Sequence, residues 1–174
     1  DMRTAADAYL RLYENDSARR FEVLQLRWWL YEAAVRQNNR TTIERSRTSL
    51  ESAVNRLSAA EQTVSGARLT ASQAQLVSET QELLGRPRFE ALGSKFREYD
   101  RYEFSTRNLR TLGDDIATFK DNLVRLAKEL TAGYLGVIRD YPVSPTWGVA
   151  SRYRISYVWN RLVLRLATLE QRLQ

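Results

Sequence analysis

Four arginines near the carboxyl terminus are the side chains whose type and spacing best suit binding chemistry. They are spaced seven, four and seven residues apart, at Arg154, Arg161, Arg165 and Arg172. In a helix that turns about 100° per residue, these positions fall within roughly 20° of one line. Such a line of guanidinium groups binds phosphates, acidic lipid headgroups or an acidic partner helix. The same positions also suit the edge of a helical bundle, where arginine heads pair with acids on a neighbouring helix. Both interpretations stay open at this point.

Aromatic side chains mark two further candidate binding elements. Residues 139–148 contain two prolines and are predicted to form a loop that carries Tyr141 and Trp147. Rigid proline and aromatic residues lower the entropic cost of binding, so this loop is either a recognition element or the turn that closes one end of the fold. Trp29 lies off the main apolar face of its predicted helix, which makes it a candidate contact for a partner.

Catalytic sites and metal-binding sites are the kinds of site against which the sequence argues most strongly. The chain has no cysteine and no histidine, which removes thiolate nucleophiles, the commonest metal ligand and the usual general base near neutral pH. The neighbouring Asp114 and Asp115 do not share a helix face, and no glycine-rich phosphate-binding loop occurs. We therefore predict no catalytic residue, no metal site and no cofactor, and we expect a protein that is not an enzyme.

The elements that must position these side chains are predicted to be helices. The 174 residues include only 7 glycines and 3 prolines, too few for the turns of an all-β fold. Two apolar stripes advance in steps of three and four, a spacing that packs helices at a shallow angle as in coiled coils and bundles. The stripes are Leu109, Leu112, Ile116, Phe119, Leu123, Leu126, Leu130 and Tyr134, then Ile155, Val158, Leu162, Leu166, Leu169 and Leu173.

Helix boundaries are predicted from glycine, proline and capping residues. The first 65 residues lack both glycine and proline, so they are predicted to form one long helix or two, the second beginning at a capping box of Thr41 and Glu44. The following helix is predicted to stop at Gly85 and Pro87. The fold class is therefore all-α: an elongated bundle of four to five amphipathic helices with coiled-coil-like seams, forming one domain over residues 1–174.

Composition also limits the cellular location and the binding partners that we expect for the protein. The net charge is +6, with most of the basic excess in the second half, and no apolar run is long enough to span a membrane. In architecture alone, a cysteine-free bundle of long helices resembles the helical sensor domains of bacterial chemoreceptors and kinases. The likeness favours an interaction or scaffold module of the bacterial envelope, and the lack of cysteine favours a periplasmic or extracellular location over a cytoplasmic one. The sequence opens on Asp1 and not on methionine, which is compatible with the removal of a leader or anchor and leaves that question open.

The expected partner of such a module is a protein or a second copy of the chain, and a small acidic ligand held between helices is compatible with it. The alternative function is a basic helical protein that binds nucleic acid or another polyanion through the arginine line on the last helix. A steep loss of binding with rising salt would distinguish that alternative.

Overall fold

Helices account for most of the chain. The computed structural model describes residues 2–65, 68–106 and 109–173, and within these ranges there is no strand and there are eight α-helices. They are α1 (Met2–Tyr13), α2 (Arg20–Arg36), α3 (Arg40–Asn55), α4 (Ala59–Gln62), α5 (Ala71–Ala91), α6 (Gly93–Arg101), α7 (Leu112–Asp140) and α8 (Pro145–Leu173). The predicted all-α class is confirmed. In the same described ranges, no helix is both long enough and apolar enough to cross a membrane.

The first 65 residues form four α-helices, where one or two were predicted, and side-chain caps begin two of them, α3 and α4. Asn39 accepts a hydrogen bond from the backbone N–H of Thr42 at 3.1 Å, so α3 begins at Arg40 and not at the predicted Thr41 capping box. Asn38 just before it has a φ of 52°, a left-handed conformation that asparagine tolerates better than most residues. Capping residues thus end helices here without glycine or proline, which is why the helices outnumber the predicted four to five.

The start of α4 is a second such cap. Ser58 and Glu61 form a capping box, in which the Glu61 N–H donates to Ser58 Oγ and the Ser58 N–H donates to Glu61 Oε2 at 2.8 Å. The Glu61 side chain is buried and also accepts hydrogen bonds from Arg20 of α2, with Nε to Oε1 at 2.9 Å. One carboxylate therefore caps α4 and ties it to α2.

Helix α5 continues through Gly85 and Pro87, where the sequence predicted a stop. Pro87 removes one helical hydrogen bond without ending the helix, and the interruption lies at Leu92 instead. Gly85 serves packing, because a Cβ atom there would lie 2.9 Å from Cδ1 of Trp147. Glycine is needed at this position for the approach of an indole ring, and not to end a helix.

The described residues divide into two compact units. Unit 1 consists of Asp1–Leu84 with Pro142–Ser144, and unit 2 consists of Gly85–Tyr141 with Pro145–Gln174. The boundary falls within α5. That residues 1–174 form one domain stays a prediction, and each unit is described below by itself.

In unit 1, α2 packs against both α1 and α3. The buried apolar side chains of unit 1 include Leu10, Leu24, Tyr31, Leu50, Val54, Leu57 and Val77. A buried amide completes this core: Gln81 donates to the Gln62 carbonyl at 2.8 Å and accepts from the Val143 N–H at 2.9 Å. Both ends of the amide are satisfied, which is the condition for burying it without a large cost.

In unit 2, the long helices α7 and α8 pack side by side, and α6 packs on α7. The buried residues of α7 follow the predicted stripe closely: Phe119, Leu123, Leu126, Leu130 and Tyr134, with Ala127 and Val137. Val158, Leu162 and Leu169 of α8 belong to the same core. The prediction of apolar stripes on these two helices is therefore confirmed for the described side chains, while those of Leu109 and Leu173 lie outside them. A coiled-coil geometry for the two helices stays a prediction.

The loop between α7 and α8 is shorter than the predicted 139–148. Helix α8 begins at Pro145, because proline has a φ suited to the first turn and needs no hydrogen-bond partner there. The residues between the helices are held down on α5: Ser78 Oγ donates to the Val143 carbonyl at 3.1 Å, and Ser144 Oγ donates to Glu82 Oε2 at 2.6 Å.

The contacts of Glu61 predict a pH-dependent contribution to stability. Hydrogen bonds from Arg20 and Ser58 lower the pKa of Glu61 below its ordinary 4.5 despite its burial. A lowered folded-state pKa stabilises the fold above the unfolded pKa, and that stability is lost as pH falls through the folded one. We expect Glu61→Gln to lower the free energy of unfolding by roughly 1–2 kcal/mol at pH 7.

Urea denaturation followed by circular dichroism measures this difference. It should shrink toward zero as the pH falls well below 4.5, where the wild-type carboxyl is itself protonated. Glu51→Gln is the control, because Glu51 of α3 makes no ion pair with any described residue. An equal effect of both substitutions, or a difference that persists at low pH, contradicts the assigned role of Glu61.

Candidate functional site

Helix α8 has apolar side chains on two opposite faces. The inner face belongs to the core of unit 2 and includes Val158, Leu162 and Leu169. On a wheel of about 100° per residue, a second apolar set falls within roughly 100° on the opposite side of the helix. Its members are Val149, Tyr153, Val163 and Leu164. We call these four residues the outer face of α8.

The outer face is strongly exposed. Val149 and Tyr153 keep 67% and 66% of their surface exposed, and Val163 and Leu164 keep 64% and 60%. Single exposed apolar residues are common on soluble proteins, but several on one side of one helix form a patch of the kind that marks an interaction site. Sequence reasoning missed this face, although its signal was present as apolar residues lying off the predicted stripe.

Basic residues flank the outer face. Helix α8 carries five arginines, and Glu170 is its only acidic residue. On the helical wheel Arg152 lies on one side of the outer face and Arg161 on the other. Both are exposed. Ser156 and Asn160 also fall within the outer face, and Glu170 falls at the same angle as Arg152. The outer face therefore combines two apolar segments with an excess of basic charge along its edges.

The structure gives each described arginine of the predicted line a partner within unit 2. The guanidinium of Arg154 lies 3.9 Å from the centre of the Phe96 ring, a cation–π contact. Arg161 lies near Asp100, with Nε 3.9 Å from Oδ1, and is about half exposed. The side chain of Arg172 lies outside the described residues. Contacts of this kind are those expected at the edge of a helical bundle, where arginine side chains pair with groups on a neighbouring helix.

Among the described arginines of the line, Arg165 is the one that donates two hydrogen bonds to backbone carbonyls. Its Nη1 donates to the Tyr99 carbonyl at 2.6 Å and its Nη2 donates to the Asp100 carbonyl, at the end of α6. The last carbonyls of a helix have no partner inside the helix and carry partial negative charge, so a guanidinium satisfies and stabilises them. Tyr99 is fully buried, and its hydroxyl donates to the Val158 carbonyl at 2.6 Å.

A small cavity of about 320 Å³ borders the same arginines. Arg161 and Arg165 share its lining with Tyr102, Glu103 and Phe104. Beyond it, Asp100 accepts a hydrogen bond from the Tyr157 hydroxyl at 2.9 Å, which raises the pKa of Tyr157 above its ordinary value. Because Glu103 lines the cavity and Arg165 already donates to α6, this cavity is a poor site for binding an anion.

The remaining candidates of the predicted loop are half-buried. Trp147 lies within α8, with its ring centre 5.2 Å from that of Phe89, and it packs over Gly85. Tyr141 follows the last residue of α7, and its N–H donates to the Val137 carbonyl at 3.0 Å. The structure does not bring Tyr141 and Trp147 together with the outer face of α8 into one site.

Trp29 borders a second and larger cavity. This groove of about 560 Å³ lies between α1, α2 and α3 of unit 1, and Trp29 is 51% exposed beside it. Leu26, Leu30 and Arg45 also line it. The prediction singled out Trp29 correctly as a residue off the buried face, but the groove depends on α1 and α3 and has no signal in the sequence around Trp29.

Metal binding finds no support in the geometry. Across residues 2–65, 68–106 and 109–173, acidic side chains do not gather in groups of three or more that would hold an ion.

The capping contact of Arg165 yields a prediction. Replacing Arg165 by methionine keeps an unbranched stem but removes the donor to the Asp100 carbonyl and leaves the Tyr99 carbonyl with only the Tyr102 N–H at 3.3 Å. We therefore expect a loss of roughly 1–3 kcal/mol in the free energy of unfolding. Arg152→Met on the same helix is the control, because Arg152 is exposed and should change stability by less than about 0.5 kcal/mol. Urea denaturation measures both, and equal effects would show that Arg165 is a surface residue like Arg152.

Comparisons with protein-family models, with characterised proteins and with solved structures give no match to this chain.

Proposed function

We propose that the protein is a non-catalytic interaction module whose outer face of α8 binds an amphipathic helix of a protein partner. The observation that carries this proposal is the exposure of Val149, Tyr153, Val163 and Leu164 along one side of a helix of 29 residues. A helix of that length extends about 43 Å and offers room for several turns of a partner helix. Apolar residues spaced along one helix face are the usual anchors of helix–helix recognition.

The charges around the outer face favour an acidic partner over a second copy of the chain. Pairing α8 with itself would bring arginines together with Glu170 as the only acidic residue of each helix. Like charges placed close together oppose association, whereas acidic residues flanking the apolar stripe of a partner would meet Arg152 and Arg161. A bacterial-envelope setting in the periplasm is part of this proposal, supported only by the composition of the chain.

Binding of nucleic acid through the arginine line is the less favoured function. Arg154 lies over Phe96, Arg161 lies 3.9 Å from Asp100 and Arg165 donates to the end of α6, so all three described arginines of the line already have partners. A phosphate backbone is held by several free guanidinium or ammonium groups acting together. The outer face, in contrast, has no partner among the described residues of unit 2.

The proposal is tested with a synthetic helical peptide of three heptads, with leucine at positions a and d and glutamate at e and g. We expect the labelled peptide to bind the protein in a fluorescence anisotropy titration. The double substitution Val163→Ser and Leu164→Ser should weaken binding by about tenfold or more, since burial of each side chain contributes roughly 1.5–3 kcal/mol. Serine removes apolar surface without adding charge.

Matched controls distinguish binding at the outer face of α8 from nonspecific hydrophobic binding. Leu135→Ser on α7 removes an equally exposed leucine (53%, against 60% for Leu164) and should leave binding unchanged. A peptide with lysine in place of glutamate should bind much more weakly. Absence of binding, or equal binding of the two peptides, overturns the proposal. Tighter binding of a DNA duplex that falls steeply with salt would support the polyanion alternative instead.

A further inference from the structure

The groove between α1, α2 and α3 exists because small residues line it. Ala5, Ala6 and Ala33 line it from α1 and α2, and Ser46 and Ser49 line it from α3. Larger apolar residues at these positions would fill the space and pack the three helices together, as they do in the core of the unit. A volume of about 560 Å³ lies within the range of about 300–1,000 Å³ that small-molecule sites occupy.

The α2 and α3 walls of the groove differ in character. The α2 wall is mainly apolar: it presents Leu26, Leu30 and the half-exposed ring of Trp29, with Arg27 and Gln37 as its polar members. The α3 wall is polar and presents Arg45 with the hydroxyl side chains Thr42 and Ser46. Apolar walls with a few convergent polar groups are typical of sites that hold one small molecule in one orientation.

The charges along the groove are arranged unevenly. Arg45 of α3 is exposed and makes no ion pair with any described residue. Arg27 of α2 is already committed to Glu14, with Nη2 2.6 Å from Oε1. Asp7 of α1 is the one acidic side chain in the lining, and it lies more than 4 Å from any described basic group. An anion is therefore attracted to the α3 side and repelled from the α1 side.

We propose that this groove binds a small amphipathic molecule with an apolar body and one carboxylate. The body lies against Trp29 and Leu30, and the carboxylate accepts hydrogen bonds from Arg45 and from the hydroxyl groups of the α3 wall. Asp7 disfavours the reverse orientation. The site is independent of the outer face of α8, because all of its residues belong to unit 1.

Dodecanoate and its neutral counterpart dodecanol are the probes, titrated into the full chain by calorimetry. We expect dodecanoate to bind at one site per chain, about tenfold more tightly than dodecanol, because a charge-assisted hydrogen bond to Arg45 is lost with the alcohol. Arg45→Gln should lower dodecanoate affinity to the level of dodecanol and leave dodecanol unchanged. Asp7→Asn should raise dodecanoate affinity severalfold.

Three controls make each outcome decisive. Arg40→Gln removes the same charge from the same helix outside the groove and should have no effect. Ala33→Trp fills the groove from an exposed position and should abolish binding of both probes while the circular dichroism spectrum is preserved. Val163→Ser with Leu164→Ser should leave both affinities unchanged. Equal affinities for the two probes, equal effects of Arg45→Gln and Arg40→Gln, or binding lost only in the α8 variant overturns the proposal.

Discussion

The packing of α7 against α8 is the interaction on which unit 2 depends. The buried stripe of α7 meets Val158, Leu162 and Leu169 of α8, and these side chains form the main core of the unit. A helix buries one stripe against one neighbour, so this contact also decides which side of α8 stays outside. Val163 and Leu164 differ from Leu162 by one and two positions, yet they lie exposed because the core occupies the other side. The candidate interaction surface is thus a consequence of the core.

The elements that the sequence predicts well are those in which apolar spacing is regular. Leu123, Leu126 and Leu130 are buried as their steps of three and four require. The boundaries are predicted poorly where one residue type serves two purposes. Gly85 was interpreted as a helix stop, but it makes room for the Trp147 ring, which lies 62 positions further along the chain. Of the two alternatives for the first 65 residues, the break near residue 40 is the one found, but Asn39 provides the cap and not the predicted Thr41.

The candidate sites were predictable only in part, because a surface is defined by what neighbouring elements leave uncovered. Arg165 was singled out for its spacing, and its partners at the end of α6 become apparent only when α6 and α8 lie side by side. Trp29 was recognised as lying off the buried face. The groove beside it, however, depends on small residues such as Ala5 and Ser46 from two other helices. Local periodicity carries no information on which distant alanines and serines will surround one cavity.

The contact of Arg165 with α6 also bears on the order in which unit 2 folds. Helix α6 has nine residues, fewer than an isolated helix needs to be stable in water. The Tyr99 and Asp100 carbonyls near its end receive side-chain hydrogen bonds from a residue 66 and 65 positions later in the chain. Closing a chain segment of that length is slow compared with forming a helix turn. The carboxyl end of α6 therefore gains its side-chain donor only once α8 has docked on α7, and we expect α6 to be completed late in folding.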